Sequence, residues 1–161
     1  MTPGRRHSGG FSFVELLVSA AILATLAMVA MPLAEVTIKR QKEHELRLAL
    51  QNIRQAIDDY KQATLNGYIV PLPGQSGYPR TLLDLTAGIA NAKDPTAPPQ
   101  YFLRRIPRDP FHPDQKISAV DTWAKRSFAS PPDAPQEGDD VFDVYSKSQL
   151  TGLNGLRYAE W

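Results

Sequence analysis

Residues 11 to 34, FSFVELLVSAAILATLAMVAMPLA, form a largely apolar run with one charge, Glu15, and one proline, Pro32. A helix of that length rises roughly 36 Å at ~1.5 Å per residue, enough to cross the hydrocarbon core of a bilayer. The preceding residues, MTPGRRHSGG, are polar and carry Arg5 and Arg6 with no acid. That asymmetry predicts a cytoplasmic N-terminus and export of the chain beyond the apolar run. A cleaved secretory signal wants a shorter apolar core and a small-x-small site after it, and MPLAEV matches poorly. A plain signal anchor fits the length but leaves Glu15 unexplained. A buried helix in a soluble protein leaves the asymmetric flanking charge unexplained.

A carboxylate at the bilayer centre costs about 2.5–3.5 kcal/mol, so such residues tend to be paired and functional. In the headgroup region the cost is small. Pro32 removes a helix hydrogen bond and either bends or opens the helix, or marks the membrane exit.

The stretch GG-FSFVELLVSAAILATLAMVAMPLA resembles the class III signal of type IV pilins and type II secretion pseudopilins. The resemblance implies cleavage between Gly10 and Phe11 by prepilin peptidase, with N-methylation of the new terminal Phe11. Glu15 stands at the family's fifth mature position and Pro32 at its twenty-second; Ser12 replaces a frequent threonine. Removing the leader lowers the basic residues from 18 to 16 and leaves the 17 acids, so the formal charge of +1 becomes −1. Cleavage would also free an amine at Phe11, roughly 6 Å along the helix from Glu15 at ~1.5 Å per residue. Pairing within the chain and pairing with a neighbour both fit that spacing. The resemblance implies the second, with Glu15 and Pro32 as assembly positions in a filament.

Residues 35 to 65 contain neither proline nor glycine. Leu46, Leu50, Ile53, Ile57 and Tyr60 recur at helical spacing, with Ala49, Ala56 and Ala63 beside them. Lys42, Glu43, Arg47, Arg54, Asp58 and Lys61 are assigned to the opposite, solvated face. Asn66-Gly67 is the expected stop. The domain plan is a leader over 1–10, a membrane or filament-core helix over 11–34, its amphipathic continuation over 35–66, and a loop-rich head over 67–161.

Most of the 14 prolines fall in that head. Thr81 is the expected cap of a helical turn in TLLDL. KISAVDTWAKRSFAS and VFDVYSKS alternate well enough for strands, joined by the loop PPDAPQEGDD. The expected fold is α+β: one long N-terminal helix packed on a small antiparallel sheet with long loops.

GYPRTLLDL, YFLRRIPRDPFHP and DVFDVYSKS make the head similar to the major pseudopilin of type II secretion, with Phe111 where that family's turn carries tryptophan. That family commonly binds calcium through aspartates after the tyrosine-serine of the last strand. Here that region, SKSQLTGLNGLRYAEW, holds only Glu160 as an acid, and calcium wants several oxygen ligands. Asp139, Asp140 and Asp143 precede Tyr145. They are the remaining calcium candidates, and GDD is read as a solvated turn without metal.

No cysteine is present, which excludes disulfides and thiolate chemistry. His7, His44 and His112 are isolated, and no phosphate-loop or nucleophile-elbow motif occurs. Arg104, Arg105 and Arg108 are read as a solvated face, Trp123 and Trp161 as packing residues. A net charge of +1 argues against nucleic-acid binding. The expectation is a non-enzymatic subunit without cofactor. It would be held in the bacterial inner membrane by a single pass, with its head in the periplasm, and would assemble into a pseudopilus that supports protein export. The implied partners are prepilin peptidase, other copies, minor pseudopilins and the inner-membrane assembly platform. The alternative is a minor type IV pilin or pilus-tip subunit for adhesion or DNA uptake.

Overall fold

The computed structural model describes residues 12–161, with backbone only over residues 29–32. One helix, α1 (Phe13–Leu65), runs the length of the glycine-free stretch. It ends where Gly67 takes a positive φ of 74°, with Tyr68 N–H donating back to Ala63 O at 2.9 Å. The chain divides into two compact units, Met1–Lys39 and Arg40–Trp161.

In the first unit every side chain described from Ser12 to Met28 is exposed, reaching 74% at Phe13 and 78% at Met28. Among the described residues α1 is the one helix long and apolar enough to cross a membrane. Exposed apolar surface on this scale marks a lipid or protein partner.

In the second unit α1 is amphipathic. Leu46, Leu50, Ile53 and Ile57 are buried, with Ala49, Ala56 and Ala63 beside them; Tyr60 packs at the edge of the core. Full burial of each large side chain contributes about 1.5–3 kcal/mol. Against this stripe lie Leu82, Leu85, Trp123, Val141, Val144 and Tyr158. Strands β1 (Trp123–Arg126) and β2 (Asp143–Ser146) pair antiparallel, in a register that sets Trp123 opposite Ser146 and Arg126 opposite Asp143. The architecture is the expected α+β, one long helix with a two-stranded sheet.

The strands are shorter than the alternation predicted. Residues 119–122 form a 3-10 turn, closed by Asp121 N–H to Ser118 O and by the Thr122 hydroxyl to Ala119 O at 2.6 Å. A local hydroxyl partner thus competes with the ladder. TLLDL forms the expected turn, Leu82–Leu85. There the Asp84 carboxylate accepts from the N–H groups of Arg80 and Thr81, both at 2.9 Å.

Candidate assembly segment and the polar clamps of the head

Gly10 and Phe11 lie outside the described residues. Glu15 stands in the first turn of α1. It is exposed and has no ion pair among the described residues. The helix N-terminus favours a negative charge there. At Pro32 the backbone continues as α-helix. The described part of the motif is therefore a bare apolar helix carrying one carboxylate, a surface able to meet lipid, other helices or an amine.

The head is organised by polar side chains that α1 turns toward it, several of which the sequence had assigned to solvent. Glu43 is 5% exposed. Its Oε1 accepts from the Tyr158 hydroxyl at 3.0 Å and from Leu153 N–H at 2.7 Å. The expectation of a solvated Glu43 is corrected, because the C-terminal segment folds back over it. Burial, the Glu43 hydrogen bond and its charge all raise the Tyr158 pKa above its ordinary 10.0.

Arg54 is likewise not a free surface cation. Its guanidinium donates to Asp143 Oδ1 at 2.7 Å, Val144 O at 3.1 Å and Trp161 O at 2.9 Å. One residue thereby ties α1 to β2 and to the final segment, with the geometric specificity of charge-assisted bonds. Two turns away on either side, Arg47 lies over the Trp161 ring at 4.4 Å, and Lys61 donates to Ser76 O at 2.5 Å and sits 4.8 Å from the Tyr78 ring centroid. Positions 47, 54 and 61 step by seven, nearly two full helical turns. That cationic column was readable in the sequence, though what it holds was not. Lys42 and Asp58 are exposed as expected.

The three acids considered for calcium have separate fates. Asp139 is exposed. Asp143 pairs with Arg54 and, at 3.5 Å, with Arg126. Asp140 is drawn inward, which corrects the reading of GDD as a wholly solvated turn. Its carboxylate accepts from the Ser76 hydroxyl, from the Ser127 hydroxyl at 2.6 Å and from Phe128 N–H at 2.9 Å. Burial works to raise its pKa, but the bonds from Ser127, Ser76 and Phe128, with Lys61 nearby, leave it below its ordinary 3.8. Among the described residues no three or more His, Asp or Glu gather as a metal cluster.

The IPRDPF turn supplies a further anchor that residue-by-residue reading missed. Asp109, 3% exposed, accepts from the Ser146 hydroxyl at 2.5 Å and from Phe111 N–H at 2.8 Å. Phe111 stacks on Tyr158 at 3.9 Å, and Trp123 Nε1 donates to Pro107 O at 2.8 Å. Aspartate flanked by prolines was the available signal, since such a carboxylate bonds local N–H groups. Trp123 packs as expected. Arg108 donates to Ile117 O and Asp114 O, at 2.5 and 2.9 Å, while Arg104 and Arg105 are exposed.

Residues 5–31 match the family described as the prokaryotic N-terminal methylation motif. This is the type IV pilin-like prepilin signal, the motif that prepilin peptidase processes, and the match is confined to that N-terminal segment. No curated protein and no solved structure matches the chain.

Proposed function

We propose that the protein is a structural subunit of a type II secretion pseudopilus. Prepilin peptidase removes residues 1–10 between Gly10 and Phe11, and Phe11 is N-methylated. The apolar segment to residue 34 then anchors the subunit in the inner membrane, N-terminus cytoplasmic and head periplasmic, until it enters the filament. The assembly platform, other copies and minor pseudopilins are its partners, and growth of the rod serves export. One observation carries this reading: the exposed apolar first part of α1, residues 13–28, with Glu15 as its lone charge, lies inside a matched prepilin motif. In the filament that apolar surface is buried against its counterparts, and Glu15 meets the Phe11 amine of a neighbour. Neither an enzymatic activity nor a cofactor belongs to this reading.

The test is coexpression with a prepilin peptidase, followed by intact-mass analysis. A mature chain beginning with methylated Phe11 is expected, and Gly10→Leu remains uncut. Unaltered processing of Gly10→Leu refutes the cleavage assignment. Loss of secretion without loss of pili on gene deletion separates the pseudopilus from the second reading, a minor pilin or tip-binding subunit. The open aromatic face at Phe128 favours that second reading.

A further inference from the structure

A groove of about 860 Å³ opens between residues 72–80 and the 127–140 loop. Its floor is aromatic. Phe128 is 58% exposed and stacks on Tyr78 at 5.4 Å and 29°. Phe142 meets both rings edge-on, at 5.6 and 5.0 Å. Phe128 is also held by its main chain, since its N–H donates to Asp140, which Ser76 and Ser127 fix in turn. The open ring face is therefore set in place before any ligand arrives, which lowers the ordering cost of binding.

The rim carries polar groups the chain itself does not use. The Arg80 guanidinium, the Asp139 carboxylate and the Gln136 carboxamide make no side-chain hydrogen bond or ion pair among the described residues. Arg54, Arg108, Arg126 and Arg157 are engaged within the head, whereas Arg80, like Arg104 and Arg105, is exposed. Glu137 meets Lys125 only at 3.6 Å, with most of its side chain in solvent.

A flat apolar platform ringed by donors and acceptors of both signs selects a ligand with an apolar face and a dense hydroxyl edge. Acids outnumber cations along the rim, which disfavours phosphate-bearing ligands and nucleic acid. Leu72, Pro73, Ala129 and Pro131 extend the apolar lining beside the rings, so an apolar or proline-rich peptide is the competing ligand. We propose that this groove binds a neutral oligosaccharide. One pyranose lays its C–H face on Phe128, and its hydroxyls bond Arg80, Asp139 and Gln136. This inference stands apart from filament assembly and does not depend on it.

The test is saturation-transfer NMR on the full chain in lauryldimethylamine oxide, a detergent without a sugar headgroup. Maltotriose and tri-N-acetylchitotriose are the probes, and octaproline is the competing peptide. Saturation should pass to the ring C–H protons of at least one saccharide. Phe128→Ala should weaken that binding at least about tenfold, and Phe128→Trp should retain it. Arg80→Ala, at an exposed position without a side-chain partner, should also weaken it and serves if Phe128→Ala misfolds by circular dichroism. No transfer to either saccharide overturns the proposal. So does binding unchanged in a folded Phe128→Ala chain, or in Arg80→Ala where that variant stands in, and so does engagement of octaproline alone.

Discussion

The Tyr158 hydroxyl donates to Glu43 across 115 residues of sequence, and the same carboxylate oxygen accepts from Leu153 N–H. Tyr158 has no exposed surface. The contact therefore joins the beginning of the head's share of α1 to the end of the chain inside the core. It also makes the C-terminal segment a structural part of the head.

Glu43→Ala leaves the buried Tyr158 hydroxyl without an acceptor and removes the acceptor of Leu153 N–H, whose residue is partly in solvent. A loss of about 1–3 kcal/mol is expected, the cost of one stranded buried group. Urea unfolding of the full chain in detergent, followed by Trp123 and Trp161 fluorescence, measures it. A loss under about 0.5 kcal/mol would mean the contact does not hold the segment.

Arg54→Ala removes three bonds but leaves Asp143 paired with Arg126. With part of the guanidinium in solvent, the expected loss is about 1–2 kcal/mol. Arg54→Lys should recover only a fraction, because a single ammonium cannot reach three divergent acceptors. The same pairing neutralises Asp143. Calorimetric titration of the wild-type chain with calcium is accordingly expected to show no micromolar site, and a micromolar site would overturn that reading.

Stability should fall at both ends of the pH scale, for different groups. Tyr158 has a raised pKa, so its contribution is complete below pH 10.0 and is lost as pH rises above that value. Asp140 has a lowered pKa, so its contribution is present above pH 3.8 and is lost as pH falls below it. Unfolding midpoints measured from pH 2 to 11 should show both limbs. Tyr158→Phe should flatten the alkaline limb and Asp140→Asn the acid one; limbs unchanged in these variants would assign the loss to other groups.

Glu15→Ala should be cleaved and methylated normally yet enter filaments poorly. The substitution leaves Gly10 and Phe11 untouched and removes only the charge proposed to meet a neighbour's amine. Intact mass reads the processing, and sedimentation of sheared filaments reads the assembly. Filament yield equal to wild type would remove the pairing role.

Helix α1 and its buried stripe were legible in the residues alone. Leu46, Leu50, Ile53 and Ile57 repeat at the helical period, and the lack of glycine until Gly67 sets the helix's end. The prepilin signal was legible too, because Gly10, Phe11, Glu15 and Pro32 stand at fixed offsets in the sequence. All of this is local information, carried by neighbours in sequence. What only the tertiary structure decided is which polar residues of that helix meet solvent. Arg54 and Lys61 look like Asp58 in periodicity, each a charge off the apolar stripe, while Glu43, three before Leu46 and seven before Leu50, is a charge in phase with it. All three differ from Asp58 because loops from 15 to 115 residues away return to cover or contact them. The same holds for Asp140, which Ser76 reaches from 64 positions upstream while Asp139 beside it stays in water. A charge is drawn inward only where a returning backbone or hydroxyl satisfies it. That partner is supplied by loop closure, for which the sequence holds no repeating signal.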